Sequence, residues 1–172
     1  MELAQGIYGL LQPIHELPPR YRRMLRIGAL VHDVGRYLGP RRHHIRGARI
    51  IAKASRLDVT LDERAFGAYA ARFHRGATPS ADENAQWLPS NHVRPMRILL
   101  AILRAADALD KRRLAPPTIL LKRDGYQLSI TVITAETHHD AICNALASRR
   151  KFRMLRDELD VSVRLKVRRE RI

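Results

Sequence analysis

The chain has 172 residues, enough for one sizeable domain, and 45% hydrophobic residues, which argues against disorder. No apolar run approaches the ~20 residues that span a bilayer, and the amino terminus lacks the basic-then-apolar layout of a secretory signal. With 32 Lys+Arg against 17 Asp+Glu, the formal charge of +15 points to a polyanionic partner rather than a cationic or neutral one.

Residues 2 to 16 read as a helix with Leu3, Ile7, Leu10, Leu11 and Ile14 on one side, weakened by Gly6 and Gly9. Pro18-Pro19 breaks it and starts a second helix. There Tyr21, Met24, Leu25, Gly28, Ala29 and His32 share one face, and the helix is expected to end between Gly35 and Pro40. His32 therefore faces the apolar side, with Asp33 about 100° further round. A buried carboxylate needs a partner, because desolvating it alone costs several kcal/mol or more, and a divalent cation would satisfy both groups.

Three later positions repeat this anomaly. His44 opens the run Ala48, Ile51, Ala52; His74 closes the run Phe66, Tyr69, Ala70, Phe73; Asp107 follows Leu99, Leu100, Leu103, Ala106. An aspartate is poorly tolerated inside an apolar helix unless paired. Asp62 is the predicted cap of the fourth helix, and residues 76 to 90 read as a surface loop docked by Trp87, whose ring could otherwise stack a base. Arg36, Arg41, Arg42, Arg46 and Arg49 cluster about His43-His44, and arginine's planar fork suits phosphate oxygens.

After Pro116-Pro117 the period changes. Ile119 to Leu121, the turn Arg123-Asp124-Gly125-Tyr126 and then Leu128, Ile130, Val132 predict a hairpin. Residues 136 to 158 read as helical, and Val161, Val163, Leu165, Val167 alternate as a closing strand. The expected fold is mainly α, a helical domain over 1–113 with a small α+β unit (hairpin, helix, strand) over 114–172. Cys143 has no disulfide partner, which suits a reducing cytoplasm. His138-His139-Asp140 lacks further spaced ligands and reads as a helix start.

The ordered set His32-Asp33, His44 before Gly47-Ala48, His74, and Ala106-Asp107-Ala108-Leu109-Asp110 resembles the HD superfamily of metal-dependent phosphohydrolases. Arg42-His43-His44, Arg72-Phe73-His74-Arg75 and Leu103 to Asp110 are similar to the helical C-terminal domain of the exopolyphosphatase and guanosine pentaphosphate phosphatase family. Superfamily members usually add a histidine some thirty residues before the HD pair, a position that here falls at or before Met1, and related domains often carry a histidine where this chain has Arg46.

The resemblance implies a mainly helical HD domain that binds Mn²⁺, Fe²⁺ or Mg²⁺. It implies His32, Asp33, His44, His74 and Asp107 as ligands, and His32, Asp33 and Asp107 as catalytic residues. Arg36, Arg41, Arg42, His43, Arg46, Arg75 and Lys111 are the expected contacts to polyphosphate or a phosphorylated nucleotide. The alternative is a non-catalytic polyphosphate-binding and dimerisation module without the family's separate actin-like phosphatase domain. Nucleic acid is a weaker third partner, since no helix-turn-helix, zinc-finger or aromatic-sheet motif supports it.

Overall fold

In a computed structural model the described residues are 1–110, 118–147 and 150–170. The helices α1 (Glu2–His15), α2 (Pro19–Val31), α3 (His43–Lys53), α4 (Leu61–Phe73), α5 (Ala81–Trp87) and α6 (Val93–Leu109) come first. The strands β1 (Thr118–Asp124) and β2 (Gln127–Thr134) follow, then α7 (His139–Ala147), α8 (Arg150–Leu159) and β3 (Ser162–Arg169). The expected mainly α fold with a small C-terminal sheet is what the chain adopts.

Helix α6 is the axis of the core. Leu99, Leu100, Ile102 and Leu103 are all buried, so it is apolar nearly all round and other helices pack on several sides of it. Each such side chain contributes about 1.5–3 kcal/mol relative to exposure. Around it, α1 contributes Ala4, Ile7, Tyr8 and Leu11, α2 contributes Tyr21, Met24 and Leu25, and α8 contributes Phe152, Leu155 and Leu159. Leu128, Ile130 and Val132 of β2 join the same cluster, so one core runs from the helical part into the sheet. The boundary expected at 113/114 lies outside the described residues.

The sheet runs β1-β2-β3, with β1 antiparallel and β3 parallel to β2. The hairpin closes through Gly125-Tyr126, where Gly125 takes a left-handed φ of 51°. The parallel return needs a crossover, which α7 and α8 supply.

Two local expectations are corrected. Thr60, not Asp62, caps α4: its side chain accepts from the Glu63 N–H while Glu63 reaches back to the Thr60 N–H. Ser80 and Glu83 repeat that reciprocal cap and turn part of the supposed loop into α5. Trp87 then stands edge-on to Phe73, ring centroids 6.0 Å apart, in a packing role. Within the stretch expected to be helical, 136–158, the described residues form a 3₁₀ turn over Glu136–His138, then α7 and α8.

One buried histidine lies away from the site and makes acid stability testable. His15 ends α1 with its Nε2 donating to the Tyr8 carbonyl, 3.1 Å, while its Nδ1 accepts from the Leu17 N–H, 3.0 Å. Burial pushes its pKa below the ordinary 6.5. The unfolded chain therefore takes up the proton first on acidification, and the stability held by the neutral ring is complete above about pH 6.5 and declines below it. Urea unfolding between pH 7.5 and 5 is expected to show this loss in the wild type and a flatter profile in His15→Gln. Equal slopes would contradict it.

Candidate metal centre

Two helix ends and one helix start bring the imidazoles together. His32 and His74 are the residues that close α2 and α4, each with its N–H still bonded to the carbonyl four residues back, of Gly28 and Ala70. His43 opens α3 directly after Arg42, which turns the chain through a left-handed φ of 53°. Asp33 lies past the end of α2, at the start of a 3₁₀ turn over Val34–Leu38, rather than on the helix as expected.

All three rings are pinned in the same way. The Nδ1 atoms of His32, His43 and His74 lie 2.9 Å from the carbonyls of Ala29, Pro40 and Ala71. A carbonyl can only accept, so each Nδ1 carries a proton, and a neutral ring at His43 or His74 turns its Nε2 lone pair toward Asp33 Oδ1. His43 Nε2 is 3.2 Å and His74 Nε2 is 3.5 Å from Asp33 Oδ1, and the two nitrogens are 3.4 Å apart. Asp33 Oδ1 is buried and has no hydrogen-bond partner.

Three acceptors facing one another repel unless a cation or proton lies among them. Asp33, His43 and His74 each offer an atom within 4.8 Å of the others, the only such set among the described residues. Two imidazoles and a carboxylate suit Mn²⁺, Fe²⁺ or Zn²⁺, so the residues fit a divalent ion. The backbone bonds at Nδ1 are the outer support that metal-binding imidazoles ordinarily have. Burial and the neighbouring His32 push the His74 pKa down to about 4, which keeps the ring neutral at pH 7.

A second group adjoins the first. His32 Nε2 is 4.0 Å from Asp33 Oδ2 and 3.8 Å from Asp107 Oδ1, while Lys151 of α8 pairs with Asp107 Oδ2. Burial opposes charge on His32, but Asp107 and then Asp33 outweigh it and raise its pKa. Burial likewise opposes charge on Asp107, yet His32 and Lys151 hold its carboxyl well below the usual range. Arg36 Nε is 2.9 Å from Asp33 Oδ2. The Asp33 side chain is 38% exposed, so the cluster opens to solvent on that side.

His44, expected among the ligands, does not join this cluster; His43, expected against substrate, does. The start of α3 turns His43 into the core, and the adjacent ring, about 100° round, lies half-buried near Arg72 and Arg75. Of the expected phosphate contacts, Arg41, Arg42 and Arg46 line a groove of about 390 Å³ with Ile45 and Arg49. Arg46 is partly engaged, since its Nη2 donates to the carbonyls of Gly39 and Arg41. Arg75 is exposed, and Lys111 lies outside the described residues.

Two residues have roles that the sequence reading missed. Lys151 is one. Arg104 is the other: buried in α6, it donates from Nη1 to the Phe73 and Ala77 carbonyls and from Nη2 to that of Gly76. These bonds tie the end of α4, and hence His74, to the core helix. An arginine three residues before Asp107 in an apolar helix was a readable signal; nothing local marks Lys151.

A family model described as HD domain matches residues 3–112. Among curated proteins none matches the chain. No helix among the described residues is long and apolar enough to cross a membrane.

Proposed function

The chain belongs to the HD domain family of metal-dependent phosphohydrolases, and on that premise we propose that it hydrolyses an extended phosphate chain, as in the exopolyphosphatase-related reading. The observation that carries the hydrolytic part is the buried Asp33 Oδ1, without a hydrogen-bond partner, set against the Nε2 atoms of His43 and His74. The polyanion preference rests on the arginine groove of Arg41, Arg42, Arg46 and Arg49 and on the formal charge of +15.

Asp33, His43 and His74 would hold the ion, which when bound supplies Lewis-acid charge to a phosphoryl oxygen and acidifies the attacking water. Arg36, partly exposed, lies as a cation against Asp33 Oδ2 and is available to balance phosphate charge. His32, whose pKa Asp107 and Asp33 raise against the opposing effect of burial, is placed to pass a proton from Nε2 to the leaving phosphate oxygen. The arginines of the groove grip the rest of the chain by fork-to-oxygen contacts that carry no base specificity.

The experiment is phosphate release by purified protein from polyphosphate, nucleoside polyphosphates and a single-phosphate ester, with Mn²⁺ or Mg²⁺ and after chelation. Chelator-sensitive release that favours the longest chains is expected. Release from none of them, with polyphosphate bound tightly all the same, would replace this reading with that of a non-catalytic binding module.

A further inference from the structure

We infer that Lys151 stands in for a second cation at this centre, so that the chain takes one divalent ion, at Asp33, His43 and His74, and none at Asp107. The inference rests on the metal-centre reading above and adds to it the ion count and a role for the C-terminal α+β unit.

Both oxygens of Asp107 are engaged. Oδ1 faces His32 Nε2 at 3.8 Å and Oδ2 pairs with the Lys151 ammonium. The carboxylate is 23% exposed and so depends on these partners for its charge. Lys151 is not a free surface side chain reaching in by chance. It sits on α8 beside Phe152, and Phe152, Leu155 and Leu159 are buried in the main core, which fixes where its stem begins. A divalent ion at His32 and Asp107 would have to share that carboxylate with an ammonium of like charge already paired with its Oδ2. The three-residue cluster has no such competitor: Asp33 Oδ1, His43 Nε2 and His74 Nε2 face one another and the Arg36 cation lies on the other oxygen. The protein's own side chain thus supplies the positive charge on one side of the centre, and only the other side calls for a metal.

The test is metal stoichiometry of the full chain loaded with Mn²⁺ and freed of excess, read by elemental analysis and titration calorimetry. The wild type and Lys151→Arg are expected to hold one ion per chain, and Lys151→Met two, since Asp107 is then free of the ammonium and can bind an ion with His32. Asp107→Asn should keep the single ion with affinity changed less than about threefold, whereas Asp33→Asn should lose it. Two ions in the wild type, one ion in Lys151→Met, or loss of the ion in Asp107→Asn overturns the inference and leaves the metal centre standing. No ion in the wild type overturns the metal centre itself. Lys151→Arg and Asp107→Asn decide the question even if Lys151→Met does not fold.

Discussion

His43→Ala is expected to remove metal-dependent phosphate release almost entirely, by roughly 10³-fold, while His44→Ala stays within about threefold of the wild type. The two residues are neighbours on α3 and share a side-chain chemistry, so the contrast isolates position. His43 is buried with Nε2 3.2 Å from Asp33 Oδ1; His44 belongs to no metal-binding set among the described residues. Losing one of three protein donors should weaken Mn²⁺ by at least the ~10–100-fold typical of removing an outer support. The measurements are Mn²⁺ affinity and phosphate release for both variants, with a melt to show that each is folded. Near-wild-type binding by His43→Ala together with loss in His44→Ala would mean that the start of α3 is turned the other way.

That pair also shows where the sequence was legible. Asp107 could be found because an aspartate four residues after Leu103 interrupts an apolar face. His32 and His74 could be found because each closes such a face. His44 was favoured over His43 because Ala48 and Ile51 lie at its helical spacing, whereas His43 shares its face with Gly47. Glycine carries no hydrophobic weight, yet Gly47 is buried, and a Cβ on it would lie 3.2 Å from the Gly35 nitrogen. A count of apolar residues ranks that face too low.

The caps teach a related lesson. Thr60-Leu61-Asp62-Glu63 and Ser80-Ala81-Asp82-Glu83 each place a hydroxyl three residues before a glutamate, a reciprocal pattern readable without coordinates. Reading Asp62 alone as the cap, and Ser80 to Glu83 as polar loop, overlooked it. Lys151 differs in kind. Its meeting with Asp107, 44 residues away, depends on how α8 packs on α6. No local period encodes that distance. The C-terminal unit could be predicted as hairpin, helix and strand, but not as the source of a charge beside the HD pair.

Gly35→Ala is expected to cost about 3 kcal/mol or more, at or beyond the upper end of ordinary overpacking, and to lower the melting temperature by about 10 °C in a chain of this size. A Cβ there would lie 2.0 Å from the His43 carbonyl oxygen and 2.6 Å from the Gly47 nitrogen. Both are backbone atoms, so no side chain can swing away to make room. The whole 3₁₀ turn would have to lift off α3. Because Asp33 precedes that turn and His43 opens α3, lifting it also widens the gap between the carboxylate and its imidazole. Gly35→Ala should therefore lose stability and Mn²⁺ affinity together, unlike His43→Ala, whose main loss is the ion. Gly47→Ala provides the graded comparison, since its nearest contact, the Gly35 nitrogen at 3.2 Å, asks only for a shift of a few tenths of an ångström. Its melting temperature should fall by less than half as much. A Gly35→Ala protein melting within about 2 °C of the wild type would show that the turn and α3 do not meet backbone to backbone, and the placement of His43 beside Asp33 would lose its support.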